Sequence, residues 1–249
     1  MIAKGIIKTI NDGEIALQLY NPHTDLQEVL KVLEQAFMKD ANTFIAFEMN
    51  KSEAHQGRLE FENFILALLR AGISLVARHL PSNRIAGFTV NIIQSRPEVG
   101  QLTLFEEFKD RINCQQLKDM INFRLATDKF INLFENFNTE CFFECVYLAT
   151  LPDFRGRRIA HHLVQCSVEL AKEIAAGKYP ETMIEDFHGK IPKIVYGSWS
   201  SKYSAKIAEN LGFVVVKATA FSDVKVNGIP CSKKLPPEHS HNISSVLRI

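Results

Sequence analysis

One stretch of the chain is almost entirely apolar and rich in β-favouring residues, namely Cys141 to Leu151 (CFFECVYLATL). A strand of this composition is typically covered on both faces, as the central strands of mixed sheets are. It ends at Pro152-Asp153, and a basic turn then leads into a helical stripe from Ile159 to Ile174, which Gly177 ends. The sequence therefore predicts a strand-turn-helix unit at the centre of a sheet.

Further helices and strands are predicted on both sides of this unit. Thr24 with Gln27 is a capping-box pattern, and the apolar spacing after it predicts a helix from about Asp25 to Lys39. The other predicted elements are a strand at Glu14 to Leu19, a helix through Phe61 to Leu68 that ends at Gly72, an antiparallel hairpin of Ile73 to His79 and Ile85 to Ile93 around Pro81-Ser82-Asn83, a helical insertion from Arg96 to Asn138, a strand at Lys193 to Tyr196, a helix at Ser200 to Asn210 and a strand at Phe213 to Val216.

Strand and helix alternate in the second half of the chain without a linker rich in Pro, Gly or Ser. The 249 residues would suit one large domain or two small ones, and the continuous alternation favours one. We therefore expect a single α/β domain over residues 1–249, with a mixed α+β sheet and a helical insertion before the central strand.

The overall charge excludes partners that are held by the field of the whole protein. The chain has 29 Lys and Arg against 28 Asp and Glu, a net charge of +1, so we expect neither nucleic acid nor a membrane surface as a partner. No apolar run approaches the ~18 residues of a membrane span. Five cysteines without a CxxC motif indicate free thiols and a cytoplasmic location. His162 and Cys166 share a helix face, but no third ligand at a fitting spacing supports a metal site.

The basic turn is the clearest candidate site. Arg155, Gly156, Arg157 and Arg158 stand where a helix begins directly after a buried strand. A helix N-terminus presents unpaired N–H groups and the positive end of the helix dipole, which together bind anions. The sequence therefore predicts a local pyrophosphate site.

At these residues the chain resembles the GNAT superfamily of acyl-CoA-dependent N-acyltransferases, whose acetyl-CoA motif reads [Q/R]-x-x-G-x-[G/A]. Arg155 matches the first position and Ala160 the last, whereas Arg158 replaces the usual glycine. Further matches follow in the family's order: Ile85-Ala86-Gly87-Phe88, Val146 to Pro152, and Leu211-Gly212-Phe213. The segments Leu133 to Asn138, Trp199 to Ala205 and Lys234-Leu235-Pro236-Pro237 are most similar to the insect arylalkylamine N-acetyltransferase-like branch.

The resemblance implies transfer of an acetyl group from acetyl-CoA to a primary amine by direct attack in a ternary complex, without a metal. Its partners would be an acyl-CoA and a small-molecule amine. The likeness to the insect branch implies an amine of the arylalkylamine type. The residues implied to bind the cofactor are the pyrophosphate-binding Arg155, Gly156, Arg157, Arg158, Ile159 and Ala160, together with the backbone of Leu148, Ala149 and Thr150 for pantetheine and the developing oxyanion.

Two catalytic positions depart from the family pattern. Ala41 stands where the insect branch has its proposed base, which leaves Asp40, Glu34 or a water relay as alternatives, and Ala208 replaces the usual acid tyrosine. Ser200 and Ser204 match serines of the insect branch, and they either relay protons and bind the amine or serve as a helix cap.

Four aromatic residues are candidates for an apolar amine pocket: Phe44, Phe47, Phe143 and Trp199. No run of acids accompanies them, which favours a mono-amine over a polyamine. Three alternatives stay open: an acyl-CoA-binding protein with impaired catalysis, an enzyme that uses a longer acyl-CoA, and an acceptor that is a polyamine or an amino acid.

Overall fold

The computed structural model describes residues 6–249 and is built around one large mixed sheet. The strands stand in the order β1-β2-β3-β4-β5-β6-β10-β7, and β8 and β9 form a separate two-stranded ribbon. Their bounds are β1 Ile6–Ile10, β2 Ile15–Leu19, β3 Leu75–His79, β4 Arg84–Ser95, β5 Cys141–Thr150, β6 Ile194–Trp199, β7 Val214–Ala220, β8 Lys225–Val226, β9 Ile229–Pro230 and β10 His241–Arg248. Within the large sheet only β5 and β6 pair in parallel.

Helices cover both faces of the sheet. They are α1 Pro22–Val32, α2 Asn42–Ala46, α3 His55–Leu69, α4 Leu104–Arg111, α5 Gln115–Ile131, α6 Leu133–Asn136, α7 Ile159–Ala175 and α8 Lys202–Asn210. In β5 the side chain of Glu144 meets Arg124 of α5, while its neighbour Cys145 meets Ser167 of α7. Successive strand residues point to opposite faces, so α5 and α7 lie on opposite sides of the central strand.

The predicted central strand is confirmed, and its pairing changes along its length. β5 pairs with β6 from Phe143, opposite Val195, to Cys145, opposite Gly197. On its other side β5 pairs with β4 from Cys141 to Thr150, so beyond Cys145 β4 is its one partner among the described strands. The register with β4 slips by one residue at Val146, which makes a β-bulge, and a bulge bends the strand that carries it. β5 and β6 therefore separate after Cys145.

The first long helix begins earlier than the sequence pattern indicates. Asn21 caps it by accepting a hydrogen bond from the His23 N–H, and Pro22 fills the first turn, where its missing N–H costs nothing. The predicted capping box of Thr24 and Gln27 is wrong, because Thr24 lies inside the helix and donates to Asp25 at 2.7 Å. The helix continues beyond α1 as a π-helical segment, Leu33–Met38.

The hairpin, the helical insertion and the later strand and helix are confirmed with shifted ends. The insertion consists of α4, α5 and α6. β6 extends to Trp199, and α8 begins at Lys202 rather than Ser200. The sequence pattern missed β1, α2, the β8–β9 ribbon and β10, which lies between β6 and β7. None of the helices among residues 6–249 combines the length and apolar character needed to span a bilayer.

Candidate active site

The separation of β5 from β6 opens a cleft in the sheet. Its walls come from the end of the π-helical segment, α2, α5, the open part of β5, the end of β6 and the start of α8. The lining residues are Phe37, Thr43, Met120, Ile121, Phe123, Arg124, Thr127, Cys145, Val146, Tyr147, Leu148, Ser198, Trp199, Ser200, Ser204 and Asn242. Most of these side chains are apolar or aromatic, so the cleft suits a substrate with an apolar body.

The basic turn lies at the end of β5, where the strand has separated from β6. Gly156 has φ +80° and Arg158 has φ +59°, both in the left-handed region that glycine adopts without strain. Arg158 thus adopts a conformation that favours glycine, at the position where the family motif has glycine. It is also the residue directly before α7, whose first N–H groups have no carbonyl one turn earlier to bond with.

The three arginines of the turn have different partners. Arg155 donates from Nη2 to Asp40 at 2.7 Å and from Nε to the carbonyl of Thr150 at 3.3 Å. Arg157 donates to Glu14 at 3.3 Å. Arg158 is exposed, and its side chain makes no hydrogen bond or ion pair with the residues that the structure describes, although its carbonyl accepts from the His162 N–H at 3.1 Å. Its guanidinium is therefore free to meet an anion at the start of α7.

The predicted catalytic acids lie apart from the cleft lining. Glu34 is exposed on the π-helical segment. Asp40 is also outside the lining, but Arg155 links it to Thr150, at the end of the open strand. Ala41, at the position of the family's base, is half-buried against the core.

Both predicted serines line the cleft. A third serine, Ser201, caps α8 by accepting from the Ser204 N–H at 3.1 Å. Ser204 in turn donates to the carbonyl of Ser201 at 3.1 Å, and Asn42 donates to the carbonyl of Ser200 at 2.7 Å. Ser201 is therefore the residue that caps α8, and its hydroxyl also lies 2.9 Å from that of Ser204, while Ser200 and Ser204 line the cleft.

Of the four aromatic residues predicted to bind the amine, Trp199 lines the cleft. Its indole N–H donates to Ser245 at 2.8 Å, which fixes the ring. Phe44, Phe47 and Phe143 are buried in the core and are not among the lining residues. Apolar residues at helical or strand spacing are core by default, and the sequence has no signal that separates them from the lining Phe37 and Phe123.

Sequence reasoning also missed a buried charged cluster beside the cleft. Arg124 of α5 donates from Nε to Asp128 at 2.6 Å, and its Nη2 lies 2.6 Å from Glu144 of β5. Tyr196 donates to the other oxygen of Asp128 at 3.3 Å. Burial raises the pKa of the Glu144 carboxyl, and the charge of Arg124 opposes that shift. The four-residue spacing of Arg124 and Asp128 on α5, which suits an ion pair on one face of a helix, was the signal that the sequence offered.

Two further ionisable side chains of the lining are neutral near pH 7. Burial raises the pKa of the Cys145 thiol to about 12. Burial likewise raises the pKa of the Tyr147 phenol above its usual value. Neither group is therefore a ready nucleophile or base. Among residues 6–249, no three His, Cys, Asp or Glu side chains group as metal ligands.

Comparison with known proteins identifies the fold. No protein-family model and no curated protein matches the sequence. The structure, however, resembles arylalkylamine N-acetyltransferase 2 from Aedes aegypti, with a TM-score of 0.77, 21% identity, and coverage of 94% of this chain and 99% of that one. Mosquito arylalkylamine N-acetyltransferase like 5b gives a TM-score of 0.75 at 19% identity, covering 94% of this chain and 100% of that one.

A third similar structure is the Drosophila melanogaster polyamine N-acetyltransferase, described as catalysing the formation of N-acetylagmatine. Its TM-score is 0.69 at 15% identity, over 94% of this chain and 100% of that one. Each of these similarities extends over nearly the whole of this chain and of the other protein. The fold predicted from the basic turn and its flanking motifs is confirmed, and the chain has the GNAT N-acetyltransferase fold of the insect arylalkylamine N-acetyltransferases.

Proposed function

We propose that this protein transfers an acetyl group from acetyl-CoA to a primary amine, of the arylalkylamine type, by direct attack in a ternary complex. The observation that carries the proposal is the open stretch of β5 from Val146 to Thr150, which leads straight into the basic turn. An extended pantetheine chain can pair with such an open strand while its pyrophosphate meets the helix N-terminus.

The basic turn supplies the anion site of this proposal. The amides of Ile159 and Ala160 at the start of α7 and the free side chain of Arg158 would hold the pyrophosphate, and Gly156 gives the turn its left-handed backbone. Arg155 and Arg157 add positive charge at the same place. The backbone of Leu148, Ala149 and Thr150 would bind pantetheine and donate to the oxyanion.

The acceptor must arrive at the thioester as an uncharged amine, because an ammonium nitrogen has no lone pair. Ser200 and Ser204 are the proposed relay, since their hydroxyls lie at the cleft and could pass the proton to water. Asp40 is the proposed final proton acceptor among the acids, because Arg155 connects it to the end of the open strand. Glu34, which is exposed, has no such connection.

An arylalkylamine acceptor is favoured by the cleft walls. Phe37, Phe123, Tyr147 and Trp199 offer aromatic surfaces, and none of the described lining residues is an Asp or Glu that would pair with the second charge of a polyamine. The two mosquito proteins of the same fold are named arylalkylamine N-acetyltransferases.

The cofactor half of the proposal is tested by isothermal titration of coenzyme A. The double variant Arg155→Ala/Arg158→Ala should bind at least tenfold more weakly, because two charge-assisted contacts to phosphate are lost. Arg111→Ala, an exposed arginine of α4, is the matched control for loss of positive charge. Equal affinity in the double variant and the wild type would contradict the assignment.

The catalytic half is tested by a thiol-release assay with acetyl-CoA and a panel of tyramine, dopamine, serotonin, agmatine and spermidine. Turnover of the aromatic amines above the two polyamines is expected. Repeating the panel with longer acyl-CoA thioesters tests the choice of donor.

A second candidate is an acyl-CoA-binding protein without transferase activity. It is favoured by one observation: Ala41 replaces the family's base, and none of the described lining residues carries a carboxylate. Coenzyme A binding without turnover of any amine would support this candidate over the first.

A further inference from the structure

Arg124 is the charged residue of the cleft wall, and it is held rigidly. Two of its nitrogens are engaged, Nε by Asp128 and Nη2 by Glu144, each at 2.6 Å. Its guanidinium also lies 4.4 Å from the centre of the Phe105 ring and 5.6 Å from that of Tyr196. These contacts fix the orientation of the planar group.

The remaining nitrogen of Arg124 has no protein partner. Nη1 donates to no atom of residues 6–249, although the side chain is only 13% exposed and lines the cleft. Nη2 is fully buried and forms its ion pair with Glu144 without the alignment of a hydrogen bond, so this side of the guanidinium is turned away from solvent. Nη1, in contrast, is not among the fully buried atoms without a partner, so it is the nitrogen of Arg124 that can donate to a molecule bound in the cleft.

The charges around Arg124 decide what kind of acceptor atom fits. Asp128 and Glu144 together carry as much negative charge as the guanidinium carries positive charge, or more, so the cluster has no net attraction for a carboxylate. Both carboxylates are outside the lining, and Arg124 stands between them and the cleft. The cluster therefore favours neither an anion nor a second cation on the substrate, and the N–H of Arg124 suits a neutral acceptor atom.

We propose that Arg124 is a specificity-determining residue of the acceptor site: Nη1 donates to a neutral oxygen at the end of the acceptor remote from its amine, and the balanced charge of the cluster offers no compensation for a charged group there. This inference rests on the proposed function and narrows its acceptor to a mono-amine with a distal hydroxyl or carbonyl. A ring hydroxyl suits the aromatic walls of the cleft best.

The test compares three arylalkylamines that differ only in the distal group, namely phenethylamine, tyramine and 4-(2-aminoethyl)benzoate, and adds agmatine as an aliphatic amine with a distal cation. In the wild type, tyramine should exceed phenethylamine about tenfold in kcat/KM, because one hydrogen bond to a charged donor is gained. The benzoate and agmatine should fall below phenethylamine. Equal values for tyramine and phenethylamine, or a preference for the benzoate, would overturn the proposal.

The residue itself is tested with Arg124→Gln/Glu144→Gln, which removes one buried charge of each sign, while Asp128 keeps its hydrogen bond from Tyr196. Its preference for tyramine should fall to within twofold, while turnover of phenethylamine persists. Arg111→Gln/Glu107→Gln, an exposed pair on α4, is the matched control and should keep the wild-type preference. A double variant that still prefers tyramine tenfold would also overturn the proposal.

A measurement of amine binding distinguishes failure of this inference from failure of the proposed function. Tyramine and phenethylamine are titrated into wild-type protein saturated with coenzyme A, in which no acetyl transfer takes place. Tighter binding of tyramine supports the role of Arg124 even if no amine is acetylated. Equal binding contradicts that role even if both amines are acetylated.

Discussion

Arg155 donates from its Nη2 to the Asp40 carboxylate across 2.7 Å, although 115 residues separate the two in the sequence. The pair joins the basic turn to the end of the long N-terminal helix. It also brings a predicted phosphate-binding residue and a predicted catalytic acid together. While the ion pair is formed, Arg155 is less available to a phosphate and Asp40 is less available to accept a proton.

Asp40→Asn should strengthen coenzyme A binding severalfold, because it frees Arg155 and removes a negative charge beside the proposed phosphate site. The free energy of unfolding should change by less than about 1 kcal/mol, since both partners are substantially exposed. Isothermal titration and thermal unfolding measure the two effects. Asp153→Asn, which removes an exposed acid of the same turn, is the control. An equal gain in affinity in that variant would mean that Asp40 acts only through the local electrostatic potential and not through its contact with Arg155.

Arg158→Gly should move stability and affinity in opposite directions. Glycine adopts φ near +59° without the Cβ strain of arginine, so the free energy of unfolding should rise by about 1 kcal/mol. Coenzyme A should nevertheless bind severalfold more weakly, because the free guanidinium is lost. Denaturant unfolding and titration check both. Weaker binding accompanied by lower stability would contradict this account of the turn.

Ser201→Ala and Ser204→Ala should separate capping from chemistry. Loss of the Ser201 cap should lower the free energy of unfolding by about 1 kcal/mol and lower kcat less than Ser204→Ala does, because Ser201 contacts the proposed relay only through its hydrogen bond to the Ser204 hydroxyl. Ser204→Ala should lower kcat at least tenfold with a smaller change in stability, because its hydroxyl lies at the cleft. Thermal unfolding and steady-state kinetics are the measurements, and an unchanged kcat in Ser204→Ala would remove it from the proposed relay.

Cys145→Ala should keep kcat within twofold between pH 6 and 9. With its pKa raised to about 12 by burial, the thiol is almost fully protonated over this range and cannot serve as a nucleophile. Iodoacetamide should accordingly spare Cys145 and modify the half-buried Cys114, as read by mass spectrometry of peptides. A large loss of kcat with an unchanged fold would instead indicate an acyl-thiol intermediate.

The parts of the site that lie within one local unit could be predicted from the sequence. The apolar run before Pro152, the basic turn and the stripe of α7 each have their own periodicity, so their order alone places an anion site at the end of a central strand. Ser200 and Ser204 were predicted by the family resemblance and do lie at the cleft.

Contacts between distant segments could not be predicted in the same way. Nothing near Asp40 or Arg155 in the sequence indicates that they meet, and Arg124 reads as an ordinary charged residue on an amphipathic helix until β5 brings Glu144 beneath it. β10 was missed because its residues, His241 to Arg248, carry two serines and an asparagine that weaken the strand pattern.

The position of β10 has a consequence for how the protein is made. β6 and β7 follow each other closely in the sequence, yet each pairs with β10 instead of with its neighbour. Asn242 in the cleft wall and Ser245 beneath Trp199 both belong to β10. During synthesis, that side of the sheet, and with it the acceptor half of the cleft, stays incomplete until residues 241–248 emerge from the ribosome.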